Sequence, residues 1–514
     1  MLLPSILVAA SSSPAVDWPS FLRRADPVNT FDMLAPNTVP DVWLEGSFAG
    51  NGLLGAQLLV CPGGICHQSL LLGNSTRAPN QSLPHQAVIP VARGDVSDVR
   101  TGDDAVTCSR PTAPPPYNTC GISGRIARPR FGIGDLVLTG AGPITRGSIR
   151  THLHNATITA TLTTTKGELS FSLYVHARRQ LVVVDAMRGS AGEAAATLAW
   201  EFRPAPALPP GLFAELPGGV FTGAPPPANY TPNPDPVCTS SSCRQALFAS
   251  AEGRGWATVW SAETPAGQES QRLLVAVTCD LPRPVVLAKT VRAAAEASAA
   301  ISAATAMGAG ALATEHTSWW ADYYWSAAGN SGSFLTLPPA AAQLEQFHWI
   351  QVFKVGAENA CRRFLDSAYS SPEAAGYLDN CVLLDGINGP LSVSKTKWSN
   401  AIWDMNVQGS QCASLSANMI EQARALVLRI PEQLPNLIAT VPPYMRNDSA
   451  AIAGSTGSLS FVADCAIQNC AFPVCQNVTA VPDLACLVHS TPLPPGGRTY
   501  PKGFVFGSNY YGGL

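Results

Sequence analysis

Hydrophobic and polar residues alternate with a period of two through much of the chain between about residues 40 and 285. The alternation is clearest from Asn155 to Thr164, where threonine alternates with isoleucine, alanine and leucine, and from Leu169 to Val175. This period predicts half-buried β-strands, because successive side chains of a strand point to opposite faces. Many such strands in series, separated by proline and glycine turns, predict an antiparallel β-sandwich. Similar segments run from Gly134 to Leu138, Leu181 to Asp185, Thr197 to Phe202, Trp256 to Trp260 and Leu273 to Thr278.

The pattern becomes helical after about residue 290. An alanine-rich helix is predicted from Val291 to Met307, with a break at Gly308 and Gly310 and a continuation through His316 to Trp325. A second helix follows two prolines and extends to about residue 365, and a third is predicted over about 415–430. The second helix has apolar residues at helical spacing, namely Leu344, Phe347, Ile350 and Val355.

The aromatic residues at the end of the first helical stretch have two interpretations. Their rings could stack on pyranose rings in a sugar subsite, or they could pack a helix between two domains. The packing interpretation is favoured. The residues concerned are Trp319, Trp320, Tyr323, Tyr324 and Trp325.

Composition narrows the classes of partner. The 514 residues are 46% hydrophobic and 13% charged, with a formal net charge of −3. Such a chain can bury a large core, and it has no basic run that would gather phosphates, so nucleic acid is not an expected partner. Its apolar stretches are shorter than the roughly 18 residues of a membrane-spanning helix, so membrane insertion is not expected either.

The cysteines indicate an oxidising compartment. Fourteen are present, and close pairs recur at one spacing: Cys61 with Cys66, Cys238 with Cys243, and Cys465, Cys470 and Cys475 in series. Disulfides fit this spacing better than zinc, although buried free thiols in a cytosolic protein are an alternative. Residues 1–16 resemble a short signal peptide. We therefore predict a secreted or vacuolar protein, with possible N-glycosylation sites at Asn74, Asn80, Asn155, Asn229, Asn447 and Asn477.

Two motifs raise the question of a cofactor or metal. The segment from Gly50 to Gly55 matches the G-x-G-x-x-G pattern of dinucleotide sites, but no helix is predicted after it, so a tight Asn-Gly hairpin turn is favoured. His152 and His154 would lie on one face of a strand, yet the sequence supplies no third ligand, so hydrogen-bonded or solvated histidines are favoured. We predict neither a cofactor nor a metal.

The region from Tyr377 to Gln411 concentrates carboxylates, carboxamides and two tryptophans. Such a set suits a neutral sugar, because amides and carboxylates bind hydroxyl groups while indole covers the apolar face of the ring. The same residues would also suit a buried polar turn that caps the helix predicted near residue 415. The residues of interest are Asp385, Trp398, Trp403, Asp404, Asn406 and Gln408.

Several segments, taken in order, resemble glycoside hydrolase family 95, which contains α-L-fucosidases and α-L-galactosidases. The resemblance implies an N-terminal β-sandwich over 17–285, a helical linker over 286–337 and part of an (α/α)6 barrel over 338–514. Family 65, with its disaccharide phosphorylases and hydrolases, shares this architecture and is the nearest competitor. The segments are Trp43, Gly50 to Ala56, Gly132 to Leu136, His316 to Trp325, Leu384 to Pro390 and Trp403 to Gln408.

The resemblance implies inverting hydrolysis of terminal α-L-fucosyl or related bonds in a glycan. Asp404 and Asn406 would order the attacking water, and Asp385, Trp398, Trp403 and Gln408 would line the sugar pocket. Two departures are present. Asp404 replaces an asparagine of the family, and none of the acids after Asn406 stands in the context of the family's general acid. The chain is therefore expected to be a truncated or divergent member. A non-catalytic carbohydrate-binding or structural protein is the main alternative.

Overall fold

In a computed structural model, the described residues form a β-rich region followed by helices. They comprise 17–34, 39–41, 46–66, 83–93, 133–188, 198–205, 234–246, 255–264, 270–279, 293–325 and 335–358, with short pieces at 401–402, 434, 438, 447–448, 450 and 455–456.

Strands β1 to β14 account for most of the described residues before position 280. Each segment for which alternation predicts a strand forms one where it is described, with boundaries moved by one to three residues. The strands are β1 (Val28–Asp32), β2 (Ser47–Gly50), β3 (Leu54–Pro62), β4 (His85–Arg93), β5 (Gly134–Thr139), β6 (Ile144–His152), β7 (Thr157–Thr164), β8 (Glu168–Val175), β9 (Leu181–Arg188), β10 (Ala199–Pro204), β11 (Val237–Cys238), β12 (Ser242–Ala246), β13 (Gly255–Glu263) and β14 (Ser270–Cys279).

These strands build two antiparallel sheets. One has the order β1-β6-β7-β8-β9-β14-β13-β12-β11, and the other has the order β10-β5-β4-β3-β2. Their inner faces share one apolar core, to which Leu58 and Ile89 contribute from the smaller sheet and Phe171, Val184 and Val275 from the larger. The predicted antiparallel β-sandwich is confirmed.

Strand β7 shows how the sequence sets this arrangement. Ile158, Ala160 and Leu162 are buried in the core, whereas Thr159 and Thr161 lie on the opposite, more accessible face. A shift of one residue in register would move every apolar side chain out of the core. The alternation therefore determines which face of the sheet packs inward.

Two of the predicted disulfides are formed. Cys61 and Cys66 close the end of β3, and Cys238 and Cys243 join the paired strands β11 and β12. Each closes a short loop, so each stabilises the fold by only about 2 kcal/mol. Disulfides are typical of proteins that fold in an oxidising compartment. The remaining predicted pairs, among Cys465, Cys470 and Cys475, lie outside the described residues.

The helices follow the sandwich, apart from one near the N-terminus. A 3₁₀ turn, Leu153–Asn155, interrupts the strands between β6 and β7, and a second one, Pro339–Ala341, precedes the last helix. Two short strands, β15 (Ala401–Ile402) and β16 (Ser455–Thr456), pair with each other. The helices are α1 (Trp18–Leu22), α2 (Ala293–Met307), α3 (Ala309–Trp325) and α4 (Ala342–Glu358).

Helices α2 and α3 meet at Gly308, as predicted. Gly308 has a φ of 76°, which glycine adopts at little cost, and the two helices are bent by 102° there. The predicted break at Gly310 is wrong, because Gly310 lies within α3. Among the described helices, no single one is long and apolar enough to cross a membrane, although α2 and α3 together would pass by length and composition. Ala297 and Ile301 of α2 pack on the outer face of the larger sheet.

Helix α4 turns a different face inward from the one that its apolar spacing indicates. Leu344 and Phe347 are 64% and 61% exposed, whereas Trp349 and Phe353 are buried. Glu345 is also buried, because its carboxylate binds Arg24 at 2.7 Å and accepts the Leu337 N–H at 2.6 Å. The helix therefore faces the sandwich with its aromatic side and its paired glutamate.

Candidate functional site

All six residues of the predicted sugar site lie outside the described residues. They are Asp385, Trp398, Trp403, Asp404, Asn406 and Gln408. Strand β15 ends at Ile402, directly before Trp403, and pairs antiparallel with β16. The segment that carries Asp404 and Asn406 therefore begins at the end of a short strand.

The described residues do show how the helices are held on the sandwich. A second buried cluster, which we call the junction, lies between the sandwich and helices α1, α3 and α4. It consists of Leu22, Ala25, Leu153, Ala156, Ala177, Trp319, Trp320, Tyr323, Tyr324, Trp349, Val352, Phe353 and Ala357.

The aromatic residues of α3 form the centre of the junction. Trp319, Trp320, Tyr323 and Tyr324 are all at most 4% exposed. The Tyr323 hydroxyl donates a hydrogen bond of 2.6 Å to the Val352 carbonyl, and the Tyr324 hydroxyl donates one of 2.9 Å to the Leu153 carbonyl. The packing interpretation is confirmed for these four residues, because none has a ring face free for a sugar. The side chain of Trp325 lies outside the described residues.

The G-x-G-x-x-G segment forms a hairpin, as predicted. Strand β3 follows it directly where a dinucleotide site would need a helix, and Gly50 pairs with Gly55. The expected position of the turn is off by one residue. Gly52 and Leu53 are central, and only Gly52, with a φ of 83°, has positive φ, as in hairpin turns that begin with glycine.

Asn51 makes four side-chain hydrogen bonds, two to the β8–β9 turn and two within its own hairpin. Its amide nitrogen donates to the carbonyls of His176 and Arg179, both at 2.9 Å. Its amide oxygen accepts the N–H groups of Leu53 at 3.2 Å and Leu54 at 2.9 Å. Asn51 therefore joins the β2–β3 turn to the β8–β9 turn.

The glycines beside Asn51 seat the end of helix α4. The Gly52 N–H donates to the Ala357 carbonyl at 2.6 Å, which satisfies a carbonyl that the end of a helix leaves without a partner. A Cβ at Gly50 would lie 2.8 Å from the same carbonyl oxygen. The motif is thus a seat for the C-terminal end of α4.

His152 and His154 do not share a strand face, which corrects the prediction. His152 ends β6, and His154 lies in the following 3₁₀ turn. His152 Nε2 lies 2.8 Å from the Thr159 hydroxyl, and its Nδ1 lies 3.3 Å from the buried carboxylate of Asp26. Burial lowers the pKa of His154. Within the described ranges, no group of three or more His, Cys, Asp or Glu residues is placed to hold a metal ion.

A second pair of histidines joins α3 to the sandwich. His316 of α3 lies between the β8–β9 turn and the 3₁₀ turn Leu153–Asn155, stacked on Tyr174 with the ring centroids 4.5 Å apart. His176 lies 5.9 Å from it, measured between ring centroids. Burial, reinforced by His176, lowers the pKa of His316 to about 3. The imidazole of His316 is therefore neutral at physiological pH.

The N-terminal residues hold α4 from the other side. Phe21 of α1 packs edge-on against Trp349, with ring centroids 5.4 Å apart, and the Arg24 guanidinium lies 5.0 Å from the Phe21 ring centroid. Arg24 also pairs with Glu345 at 2.7 Å. Residues 17–27 thus bind the helices as well as leading into β1.

Comparison with known proteins leaves the family open. No family model matches the chain, and no curated protein matches it. Among the similar solved structures is one described as "Putative kojibiose phosphorylase from human microbiome", with 11% sequence identity and a TM-score of 0.47. The match covers 87% of this chain and 52% of that one, so this chain spans about half of that protein's length. A likeness of this size assigns neither a family nor an activity.

Sequence reasoning missed the connecting roles of Asn51, His316 and Glu345. Asn51 stood inside a motif that could have found it, since an asparagine in a hairpin turn often bonds to nearby backbone. His316 and Glu345 gave no signal, because a single polar residue within a helical pattern does not reveal which side of the helix will be buried.

Proposed function

We propose that the protein is a glycoside hydrolase of the fucosidase-like type, which cleaves terminal α-L-fucosyl or related bonds with inversion. One observation carries the proposal. Two of the segments that resemble family 95, Gly50 to Ala56 and His316 to Trp325, contact the same helix, through Gly52 with Ala357 and Tyr323 with Val352. These two motifs therefore form one joint between a β-sandwich and the helical region, which supports the resemblance to a family with this architecture.

The proposed chemistry places the reacting groups in the segment after β15. An inverting glycosidase needs a base for the attacking water and an acid for the leaving oxygen, with the two carboxyl groups roughly 6.5–9.5 Å apart. Asp404 and Asn406 order the water, and Asp404 supplies a carboxylate where the family has an amide. Asp385, Trp398, Trp403 and Gln408 bind the sugar through polar groups and indole faces.

The identity of the general acid is a separate question. The acids that follow Asn406 are Glu421, Glu432, Asp448, Asp464 and Asp483. A substrate with a nitrophenyl leaving group needs little protonation, so it reports on water attack even where the acid is weak or lacking. A natural disaccharide needs the acid. The ratio of the two rates therefore measures how much acid catalysis the chain supplies.

The test compares hydrolysis of nitrophenyl α-L-fucoside and α-L-galactoside by the wild-type protein and by Asn406→Ala. We expect the substitution to lower the rate at least 100-fold, the usual scale for a lost catalytic contact. Gln343→Ala, which removes an exposed carboxamide from α4, is the control and should retain the wild-type rate. Equal rates for wild type and Asn406→Ala would remove the proposed role of Asn406.

The same samples separate the alternatives. Turnover that depends on inorganic phosphate and releases a sugar phosphate would identify a family 65-type phosphorylase. Binding on a glycan array without turnover of any substrate would identify a carbohydrate-binding protein that lacks catalysis. Either result would replace the hydrolase proposal.

A further inference from the structure

We propose that the contact between helix α3 and the sandwich is pH-sensitive: it requires a neutral imidazole at His316 and opens more often as the pH falls from 7.5 to 5. The proposal concerns the junction, so it stands whether or not the protein hydrolyses glycosides.

Both ring nitrogens of His316 are engaged, and their partners determine the tautomer. Nε2 lies 2.6 Å from the Asn155 carbonyl oxygen, which can only accept, so Nε2 carries the proton. Nδ1 lies 3.2 Å from the Ala177 amide nitrogen, which can only donate, so Nδ1 is the acceptor. One neutral imidazole therefore bridges the 3₁₀ turn and the β8–β9 turn.

Protonation of His316 would break this bridge. A proton on Nδ1 would point at the N–H of Ala177, so that bond would be lost and two donors would face each other. The residue is 1% exposed, so the new charge would also be almost fully desolvated. The side chain can accept a proton favourably only when α3 moves away from the sandwich and admits water.

The surroundings of His316 do not offset that charge. On the β8–β9 turn, His176 lies 5.9 Å from His316 between ring centroids and lowers the pKa of His316, and Arg179 carries a fixed positive charge. Tyr174 of β8 stacks on the His316 ring. The nearby carboxylate, Glu315 on α3, is bound to Arg179 at 2.8 Å and lies 3.6 Å from His176 Nε2. The Glu315 carboxylate is therefore already paired and does not neutralise a charge on His316.

On the side of the 3₁₀ turn, His154 and His152 lie beside the Asp26 carboxylate. Asp26 accepts the Leu153 N–H at 3.0 Å and lies 3.6 Å from an Arg150 guanidinium nitrogen. Burial lowers the pKa of His154 as well. The Asp26 carboxylate is therefore already engaged by these groups and does not neutralise a charge on His316.

The consequence reaches α4. Tyr324 of α3 binds the 3₁₀ turn at Leu153, and Tyr323 binds α4 at Val352. When α3 moves, these two bonds are strained or lost, and α4 keeps its contacts to the Gly52 turn, to Phe48 of β2 and to residues 17–27. Opening at His316 therefore loosens the attachment of the helical region to the sandwich.

The size of the effect follows from the change in proton affinity. The pKa of His316 is about 3 in the closed state and near 6.5 when the ring is exposed. Linkage then raises the open population about 30-fold between pH 7.5 and pH 5.

Hydrogen–deuterium exchange of the full chain tests the proposal. Rates at pH 7.5 and 5 are corrected for intrinsic exchange, and peptides from α3 are compared with peptides from β9 and β14 in the sandwich. Between pH 7.5 and pH 5, we expect the fraction of open molecules to rise about 30-fold for α3 amides and much less for amides of the sandwich. In His316→Gln, whose amide has both a donor and an acceptor but does not titrate, the rise should fall to a few-fold. His85→Gln, in β4 of the smaller sheet, is the control and should respond like wild type.

A second measurement on the wild-type protein covers the case in which His316→Gln does not fold. Nitrogen-15 spectra of labelled histidines should show one histidine that stays in the neutral Nε2–H form from pH 7.5 to 5. The proposal is overturned if every histidine becomes charged at pH 5 in the folded protein. It is also overturned if α3 shows no pH response, if the sandwich responds as strongly as α3, or if His316→Gln keeps the full response.

Discussion

Replacement of Asn51 by alanine tests whether the G-x-G-x-x-G segment is a structural seat. The substitution removes four hydrogen bonds, two to carbonyls in the β8–β9 turn and two from N–H groups of its own hairpin. Each such bond contributes about 1 kcal/mol net, and Asn51 is only 2% exposed, so its former partners regain little solvent. We expect the free energy of unfolding of the junction to fall by about 3–4 kcal/mol.

Urea unfolding followed by tryptophan fluorescence measures this loss, because Trp319, Trp320 and Trp349 all lie in the junction. Asn51→Asp is the sharper variant, since it is isosteric and keeps the acceptor for Leu53 and Leu54 but points an oxygen at two carbonyls. It should lose at least as much stability as the alanine variant. Asn29→Ala, on the edge strand β1, should cost under about 1 kcal/mol. A loss below about 1 kcal/mol for Asn51→Ala would refute the reasoning.

Three further predictions concern the same joint. Gly50→Ala places a methyl group 2.8 Å from the Ala357 carbonyl oxygen and should destabilise the junction by about 1–3 kcal/mol in the same assay, whereas Gly310→Ala, with open space around it, should not destabilise. Tyr324→Phe removes the bond to Leu153 and should cost about 1 kcal/mol by urea unfolding; no change would show that the bond contributes nothing. Because the folded-state pKa of His316 is about 3 and its ordinary value is 6.5, the unfolded state takes up the proton first. Stability is therefore full above pH 6.5 and falls toward pH 3, by about 2 kcal/mol at pH 5, and thermal unfolding at both pH values checks this sign.

The strands were predictable because their alternation is a local signal. The threonines of β7 specify both the strand and its outward face, and neither depends on distant residues. The break at Gly308 was predictable for the same reason. The continuation of α3 through Gly310 was not, because a glycine inside a helix costs only about 1 kcal/mol relative to alanine, and the sequence does not show whether the rest of the helix offsets that cost.

Features that depend on contacts between distant segments could not be read from the sequence. Leu344 and Phe347 are exposed because α4 turns its other side inward, and that side includes Glu345, which pairs with Arg24 more than 300 residues away along the chain. Strand β6 ends at His152, so His154 lies beyond the strand. The alternation of hydrophobic and polar residues does not mark this end. For the sugar site, the residue types around Trp403 come from the sequence, and their proposed roles come from the family resemblance. The structure describes only strand β15, which ends directly before Trp403.

The stereochemistry of the first product tests the proposed function most directly. Proton NMR during hydrolysis of nitrophenyl α-L-fucoside distinguishes the two anomers of fucose before they equilibrate. An inverting mechanism with water ordered by Asp404 and Asn406 predicts that β-L-fucose appears first. Initial release of α-L-fucose would contradict the account, as would failure to release fucose from this substrate together with failure to release galactose from nitrophenyl α-L-galactoside.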